Sequence, residues 1–377
     1  TFSDGAGGSV ATVLKPYTVA SGLATAASVS SSGNTAAGTY SILDTNPSIT
    51  GANFVGSPVY VGNLTVTPKA LTATMAANNK VYDGTVTASV TGSSADIITG
   101  DKISFASTSA TFDSKNVGNS KAVAVSGITI GDADAANYTL QNSSASAMAN
   151  VTPKAVTLTA GSVSKTYDGG LTYSTQTADL TTLTQQLVGG DSVSAATISY
   201  ANKNAANGTK VVTLDNVTLS DGNSGGNYTV TLVGNSTSTI TQKALTAAYT
   251  ASNKVYDGST TATVAGASSD IVSGDTVNFA NSTATFDSKN VGTGKAVSVS
   301  GIAISGTDAG NYSLQNTTAS TTANVSAKNL TAAYTANNKV YDGNTTASVV
   351  GASNDIVAGD TVNFANSTAT FDSKNVG

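Results

Sequence analysis

The sequence predicts an all-β protein: a tandem array of small immunoglobulin-like Greek-key β-sandwich domains forming an elongated rod. Three observations predict it. Blocks of 85–89 residues return in the same order along the chain. Within each block Thr, Val, Ser, Tyr and Ile dominate, with apolar residues at every second position, as strands prefer. A Tyr that follows an Asp by four residues stands where sandwich domains carry a tyrosine corner.

The blocks come first. "NKVYDG" stands at 79–84, 253–258 and 338–343, and "SKTYDG" at 164–169. Tyr82, Tyr167, Tyr256 and Tyr341 are spaced by 85, 89 and 85 residues, as are Lys69, Lys154, Lys243 and Lys328. Gly-Asp pairs recur at Gly100-Asp101, Gly190-Asp191, Gly274-Asp275 and Gly359-Asp360. The spacing predicts three complete repeats, 69–153, 154–242 (divergent) and 243–327, and a partial fourth, 328–377. Residues 1–68 read as a different but related partial β domain. Repeats of this length are too long for solenoid coils and suit one small domain each. Junctions such as "VTPKALTA" place Pro between two β-like runs with no Gly/Ser linker, which predicts stiff joints.

Composition narrows the function. The 377 residues are 39% hydrophobic and 10% charged, with a net charge of −5 and no Cys, His or Trp. Without Cys there are no disulfides or thiolate metal sites. Without His, Ser-His-Asp and Cys-His catalysis are excluded. No basic block points to nucleic acid. No apolar run reaches the roughly 18 residues of a membrane span. "TFSDGAGGSV" has neither the basic start nor the apolar core of a signal peptide, so the chain reads as an internal piece or a mature product.

The strands follow. In "KAVAVSGITI", Val123 and Val125 face one way, Gly127 interrupts, and Ile128 and Ile130 resume. Val212, Leu214, Val217 and Leu219 repeat the pattern, as do Val297, Val299, Ile302 and Ile304. The break at Gly127 predicts a bulge or a bend from sheet to sheet. Helical periodicity is absent except for a short turn at 181–187, and a β-grasp fold would need a helix that is not found. Asp134 precedes Tyr138, and Asp308 precedes Tyr312, by four residues. The second repeat lengthens this corner before Tyr228, and Phe54 takes the Tyr position in the first segment.

The motifs with chemical potential are few. In "YDG", Asp83 and Gly84 favour a tight turn because Asp bonds locally and Gly accepts positive φ. The favoured reading is a structural corner whose Tyr packs on the core edge, ahead of a repeated sugar or ion site. "GDADAAN" at 131–137 has alternate Asp residues but not the length or terminal Glu of a calcium loop. "FDSKNVG" at 112–118, 286–292 and 371–377 hints at Lys–Asn isopeptide bonds through Lys115 and Asn116, with an exposed turn as the favoured alternative. No catalytic, cofactor or metal residue is assigned. The structural candidates are Tyr138, Tyr228, Tyr312, Asp134, Asp308, Tyr82, Asp83, Gly84, Tyr167, Tyr256 and Tyr341.

"KVYDGT", "FDSKNVG", "DAGNYSL" and "TPKALTA" together resemble the YDG-type repeats of large bacterial surface proteins. Residues 1–68, with "AAGTYSI", "TGANF" and "VYVGNLTVTPKAL", resemble the related MBG-type repeat. The resemblance implies a segment of a filamentous-haemagglutinin-like adhesin, secreted to the cell surface with an outer-membrane secretion partner. It implies a non-catalytic stalk that projects a binding region and supports adhesion or biofilm, and it carries over no catalytic residue. The host or surface glycan or protein that such a region binds is left open. The alternative is a filament or matrix subunit that associates with copies of itself. A glycosidase is the remote third reading, since no carboxylate pair stands out.

Overall fold

A computed structural model describes Phe2–Ser3, Ser9–Val10, residues 28–41 and residues 63–377. Phe54 lies outside the described residues. The described chain is nearly all β, built from many short sheets. It divides into two compact units. One takes in the described residues up to Leu158 with Leu180–Ala195 and Val217–Thr231; the other takes in Thr159–Asp179, Ala196–Asn216 and Leu232–Gly377.

In the first unit, the first repeat builds a four-stranded sheet in the order Ser109–Phe112, Gly118–Ser126, Ser144–Thr152, Lys80–Val81. The first two pairings are antiparallel and the last is parallel, with Val151 opposite Lys80. Smaller sheets complete the repeat. Lys69–Leu71 runs parallel to Tyr138–Leu140, Thr74–Ala77 antiparallel to Val90–Ser93, and Ser104–Ala106 antiparallel to Thr129–Gly131. Alternation decides which side chains enter the core. Val123 and Val125 point inward with Phe112, Met75, Tyr82, Ala149 and Val151, while Ala122 and Ala124 face solvent. At Gly127 the chain leaves the four-stranded sheet for the Ser104–Ala106 pair, and Ile128 rejoins the core. Gly127 has φ +66°, and a Cβ there would collide with Thr108 Oγ1, so both conformation and space require glycine. The earlier segment contributes Gly38–Ser41 antiparallel to Asn63–Val66.

In the second unit the third repeat reproduces this plan. Its sheet runs Thr283–Phe286, Gly292–Ser300, Thr318–Ser326, Lys254–Val255, and its core gathers Tyr249, Phe286, Val297, Val299, Ile302 and Val325. From the second repeat, Ser164–Thr166 runs parallel to Asn235–Thr241, and Lys210 pairs with Ser238 across an antiparallel ladder. The fourth repeat contributes Ala333–Ala336 antiparallel to Val349–Ala352.

The expected turn at 181–187 is instead an α-helix over Thr177–Thr184. It begins earlier because Asp179 accepts the Gln176 amide at 2.8 Å, a local N-terminal cap. Leu183 is its buried residue. Hydrophobic periodicity was too weak over eight residues to reveal it.

Candidate functional site

The YDG motif is built from the residues upward as a clamped turn. Lys80–Val81 is held at the sheet edge by Val151–Thr152, and the chain then reverses at Asp83-Gly84. Asp83 Oδ1 accepts the Thr85 amide at 2.9 Å. The Lys80 ammonium donates to Asp83 Oδ1 at 2.8 Å, to Thr85 O at 2.7 Å and to Thr87 O at 3.0 Å, and sits 5.5 Å from the centre of the Phe112 ring. With the Thr85 hydroxyl at 3.2 Å, four oxygen acceptors and a ring face satisfy this cation, so the turn has one geometry. Lys165 repeats the arrangement on Asp168, Gly170 O, Thr172 O and the Tyr200 ring. Lys254 does so on Asp257, Ser259 O, Thr261 O and the Phe286 ring. Lys339 holds Asp342 and Asn344 O below the Phe371 ring.

Gly84 has φ +79°, and a Cβ on it would lie 2.6 Å from Val188 Cγ1 of the following repeat. Gly169 faces Val272 at 2.8 Å and Gly258 faces Val357 at 2.6 Å in the same way. The turn is therefore a seat on which the next repeat rests.

The tyrosine of the motif completes the joint. Tyr82 is 1% exposed, and its hydroxyl donates to Asp191 Oδ2 at 2.8 Å. The Tyr228 hydroxyl donates to the same oxygen at 2.6 Å and accepts the Val188 amide at 3.0 Å. Lys115 donates to Asp191 Oδ1 at 2.7 Å. Asp191, 4% exposed, is thus held by two residues of the first repeat and one of its own. In the next joint Tyr167 and Tyr312 both donate to Asp275 Oδ2 at 2.7 Å, and Lys203 donates to Oδ1 at 2.8 Å. In the third, Tyr256 donates to Asp360 Oδ2 at 2.5 Å and Lys289 to Oδ1 at 2.7 Å. Each joint lies inside one compact unit. An asparagine adds a backbone contact: Val117 N donates to Asn227 Oδ1 at 2.9 Å, and Ala205 N to Asn311 Oδ1 at 2.8 Å.

The electrostatics follow from this geometry. Burial opposes the Asp191 charge, but the Lys115 ammonium and the Tyr228 and Tyr82 hydroxyls outweigh it, so its pKa lies below the ordinary carboxylate value. Asp275 is lowered by the same balance of burial against Lys203, Tyr312 and Tyr167. The contact with Asp191 raises the pKa of Lys115. Burial, then the neighbouring Asp275, pushes Tyr312 up to about 12. The joint is a charged pair closed by neutral phenols at any ordinary pH.

The residues singled out from the sequence are placed as follows. Tyr82, Tyr167, Tyr228, Tyr256 and Tyr312 meet at the joints. Tyr341 is 59% exposed, with no carboxylate partner among the described residues. Tyr82 and Tyr167 are deeply buried, where their repeat meets the next. The phenol bond of Tyr138 is not to nearby backbone. It accepts the Ile98 amide, 40 residues upstream, at 2.9 Å and donates to Asp101 at 2.7 Å. Asp134 and Asp308 each precede a 3₁₀ turn without capping it. Asp134 instead accepts the Lys102 and Ser31 amides, and Asp308 the Thr276 amide. Lys115 and Asn116, considered together for an isopeptide bond, go separate ways: Lys115 to Asp191, Asn116 to Gly222 O.

Sequence reasoning missed the roles of Asp191, Asp275 and Asp360 and of Lys115, Lys203 and Lys289. The signal was present, since the Gly-Asp pair and the "SKN" or "NKN" lysine recur once per repeat. What was lacking was any local reason to join residues so far apart in the chain.

Repeated β domains, each meeting the next through one shared carboxylate, make this a tandem-repeat β protein. The chain belongs to the YDG domain family, which matches residues 67–147, 152–239, 241–321 and 326–377. Among curated proteins none matches.

Proposed function

We propose that this chain is a non-catalytic spacer, a stalk segment of a bacterial surface adhesin that holds a binding region away from the cell. The observation that carries the reading is the recurrence of one joint. Tyr82 and Lys115 on Asp191, Tyr167 and Lys203 on Asp275, and Tyr256 and Lys289 on Asp360 repeat the same contacts at the same atoms. An enzyme concentrates its unusual groups in one place. Here they are spread evenly and used to fasten repeat to repeat, which suits a spacer.

The immunoglobulin-like rod, the MBG-type character of residues 1–68, the extracellular location and the outer-membrane secretion partner are parts of the same proposal. Joints that fasten repeat to repeat through an ion pair on a buried carboxylate, in place of a flexible linker, support the rod, and the family membership supports the repeated domain. A strand of ten residues spans roughly 33 Å, so four or more such domains in line would reach well over about 100 Å.

Electron microscopy of the purified chain at low concentration tests the reading. The expected result is thin single rods of constant length that bend at defined places once Asp191→Ala and Asp275→Ala are introduced. Compact particles, or rods equally straight with and without those substitutions, would overturn it.

A further inference from the structure

The first and last segments of a repeat run side by side in the same direction. In the first repeat Lys69 lies opposite Tyr138 and Leu71 opposite Leu140, and Gln141 N donates to Leu71 O at 2.9 Å. Further on, Lys80 lies opposite Val151 and Val81 opposite Thr152, and Tyr82 N donates to Thr152 O at 2.9 Å. Between these two pairings Thr74–Ala77 turns to another partner, Val90–Ser93. Asparagine side chains bridge the interval. Asn142 Oδ1 accepts the Ala73 amide at 2.8 Å, and its Nδ2 donates to Ala73 O and to Ser144 O, both at 3.0 Å. Asn79 Oδ1 accepts the Asn150 amide at 2.7 Å. A carboxamide carries both donor and acceptor, so it can stand in for a strand's backbone where the ladder is broken.

The third repeat does the same with the same atoms. Lys243 lies opposite Tyr312 and Lys254 opposite Val325. Asn316 takes the Ala247 amide and donates to Ala247 O and Thr318 O, and Asn253 takes the Asn324 amide.

This order fixes how tension would enter a repeat. The chain enters at Lys69 and leaves at Thr152, and these lie at opposite ends of the parallel segments. Pulling them apart slides one segment along the other, so the bonds between them are strained together. A hairpin pulled at two facing residues opens its bonds one after another instead. We propose that the first and third repeats are shear clamps, in which the parallel first and last segments resist tension along the chain and Asn142 and Asn316 lock them. Resistance to pulling is a further function of the fold, and it rests on strand order and not on the stalk reading.

Single-molecule force spectroscopy of the whole chain tests this. The chain has no Cys, so an introduced pair defines where force is applied. Thr67→Cys with Pro153→Cys pulls the first repeat through its entry and exit. Ser109→Cys with Ser126→Cys pulls it at two exposed residues that face each other across the Ser109–Phe112 and Gly118–Ser126 hairpin. The expected result is a clearly higher breaking force in the first direction. Asn142→Ala loses three bonds and should speed unfolding in that direction at least roughly tenfold at a fixed force, with little change in the other. Asn79→Ala, which loses one bond, should do so more weakly. Equal forces in the two directions, or acceleration of both alike by Asn142→Ala, would overturn the proposal. Those outcomes leave the stalk reading standing, whereas compact particles in the microscope would sink the stalk and leave the clamp.

Discussion

Tyr82 and Tyr228 meet edge to face, ring centroids 5.4 Å apart, and both donate to the same oxygen of Asp191. The pair comes from two different repeats. Tyr167 and Tyr312 repeat it on Asp275 at 5.6 Å. One carboxylate oxygen therefore reports whether two domains are docked, and the consequences can be measured.

Asp191→Ala removes the acceptor of two buried phenols and the partner of Lys115. The cost expected is about 2–4 kcal/mol, because the hydroxyls lose their acceptor while the half-exposed ammonium can return to water. Chemical denaturation of the whole chain should show the first and second repeats separating at lower denaturant. An unchanged midpoint would mean that the joint carries no stability.

Gly84→Ala meets two separate penalties. The left-handed φ costs an alanine about 1–2 kcal/mol, and the new Cβ collides with Val188. Adding Val188→Ala should recover the collision part alone, leaving the conformational part. The double-mutant cycle tests this directly, and full recovery would show that backbone strain is absent.

Lys80→Met should loosen the turn without touching the joint carboxylate. Lost charge-assisted bonds to Asp83, Thr85 and Thr87 suggest about 1–3 kcal/mol. Amide hydrogen exchange at Thr85 should rise. Arginine should not restore protection, since its planar fork does not fit four acceptors around one nitrogen.

Stability should form a broad plateau in pH. Asp101 is held at about 2 by the Ser32 and Tyr138 contacts, and Asp191 and Asp275 also lie below the carboxylate value of about 3.9 expected in an unfolded chain. A depressed folded pKa adds stability that is present above the unfolded value and is lost as pH falls through the folded one. Tyr312, at about 12, works in the opposite direction: its contribution is full below the unfolded value of about 10 and is lost as pH rises toward 12. Thermal unfolding should thus be flat from about pH 4 to 10 and fall outside it. A midpoint that drops steeply between pH 5 and 7 would contradict the assignment. Spectrophotometric titration should show late-ionising tyrosines whose pKa falls part of the way in Asp275→Ala, because burial remains.

Much of the fold was legible because it is written in short-range patterns. Val123, Val125 and Ile128 announced an inward face and a break at Gly127, and both are present. The YDG turn was legible in the same way, since Asp and Gly act on their immediate neighbours. The Tyr that follows Asp by four was legible as a corner, but its partners were not: Tyr138 reaches back to the Ile98 amide and to Asp101. The helix at Thr177–Thr184 was nearly invisible, because eight residues carry too little periodicity and Asp179 alone marks the start.

The sequence by itself determined the array. Repetition of core and turn residues at fixed spacing demands one β architecture used again and again, and the missing Cys and His remove whole classes of chemistry. Only the tertiary structure decided what the repeated Tyr, Lys and Asp are for. Asp191, Tyr82, Lys115 and Tyr228 belong to two repeats, and no local rule relates them. They find one another only when the second repeat sits on the Gly84 turn. Burial then makes the pairing obligatory, because a carboxylate taken out of water needs every donor within reach.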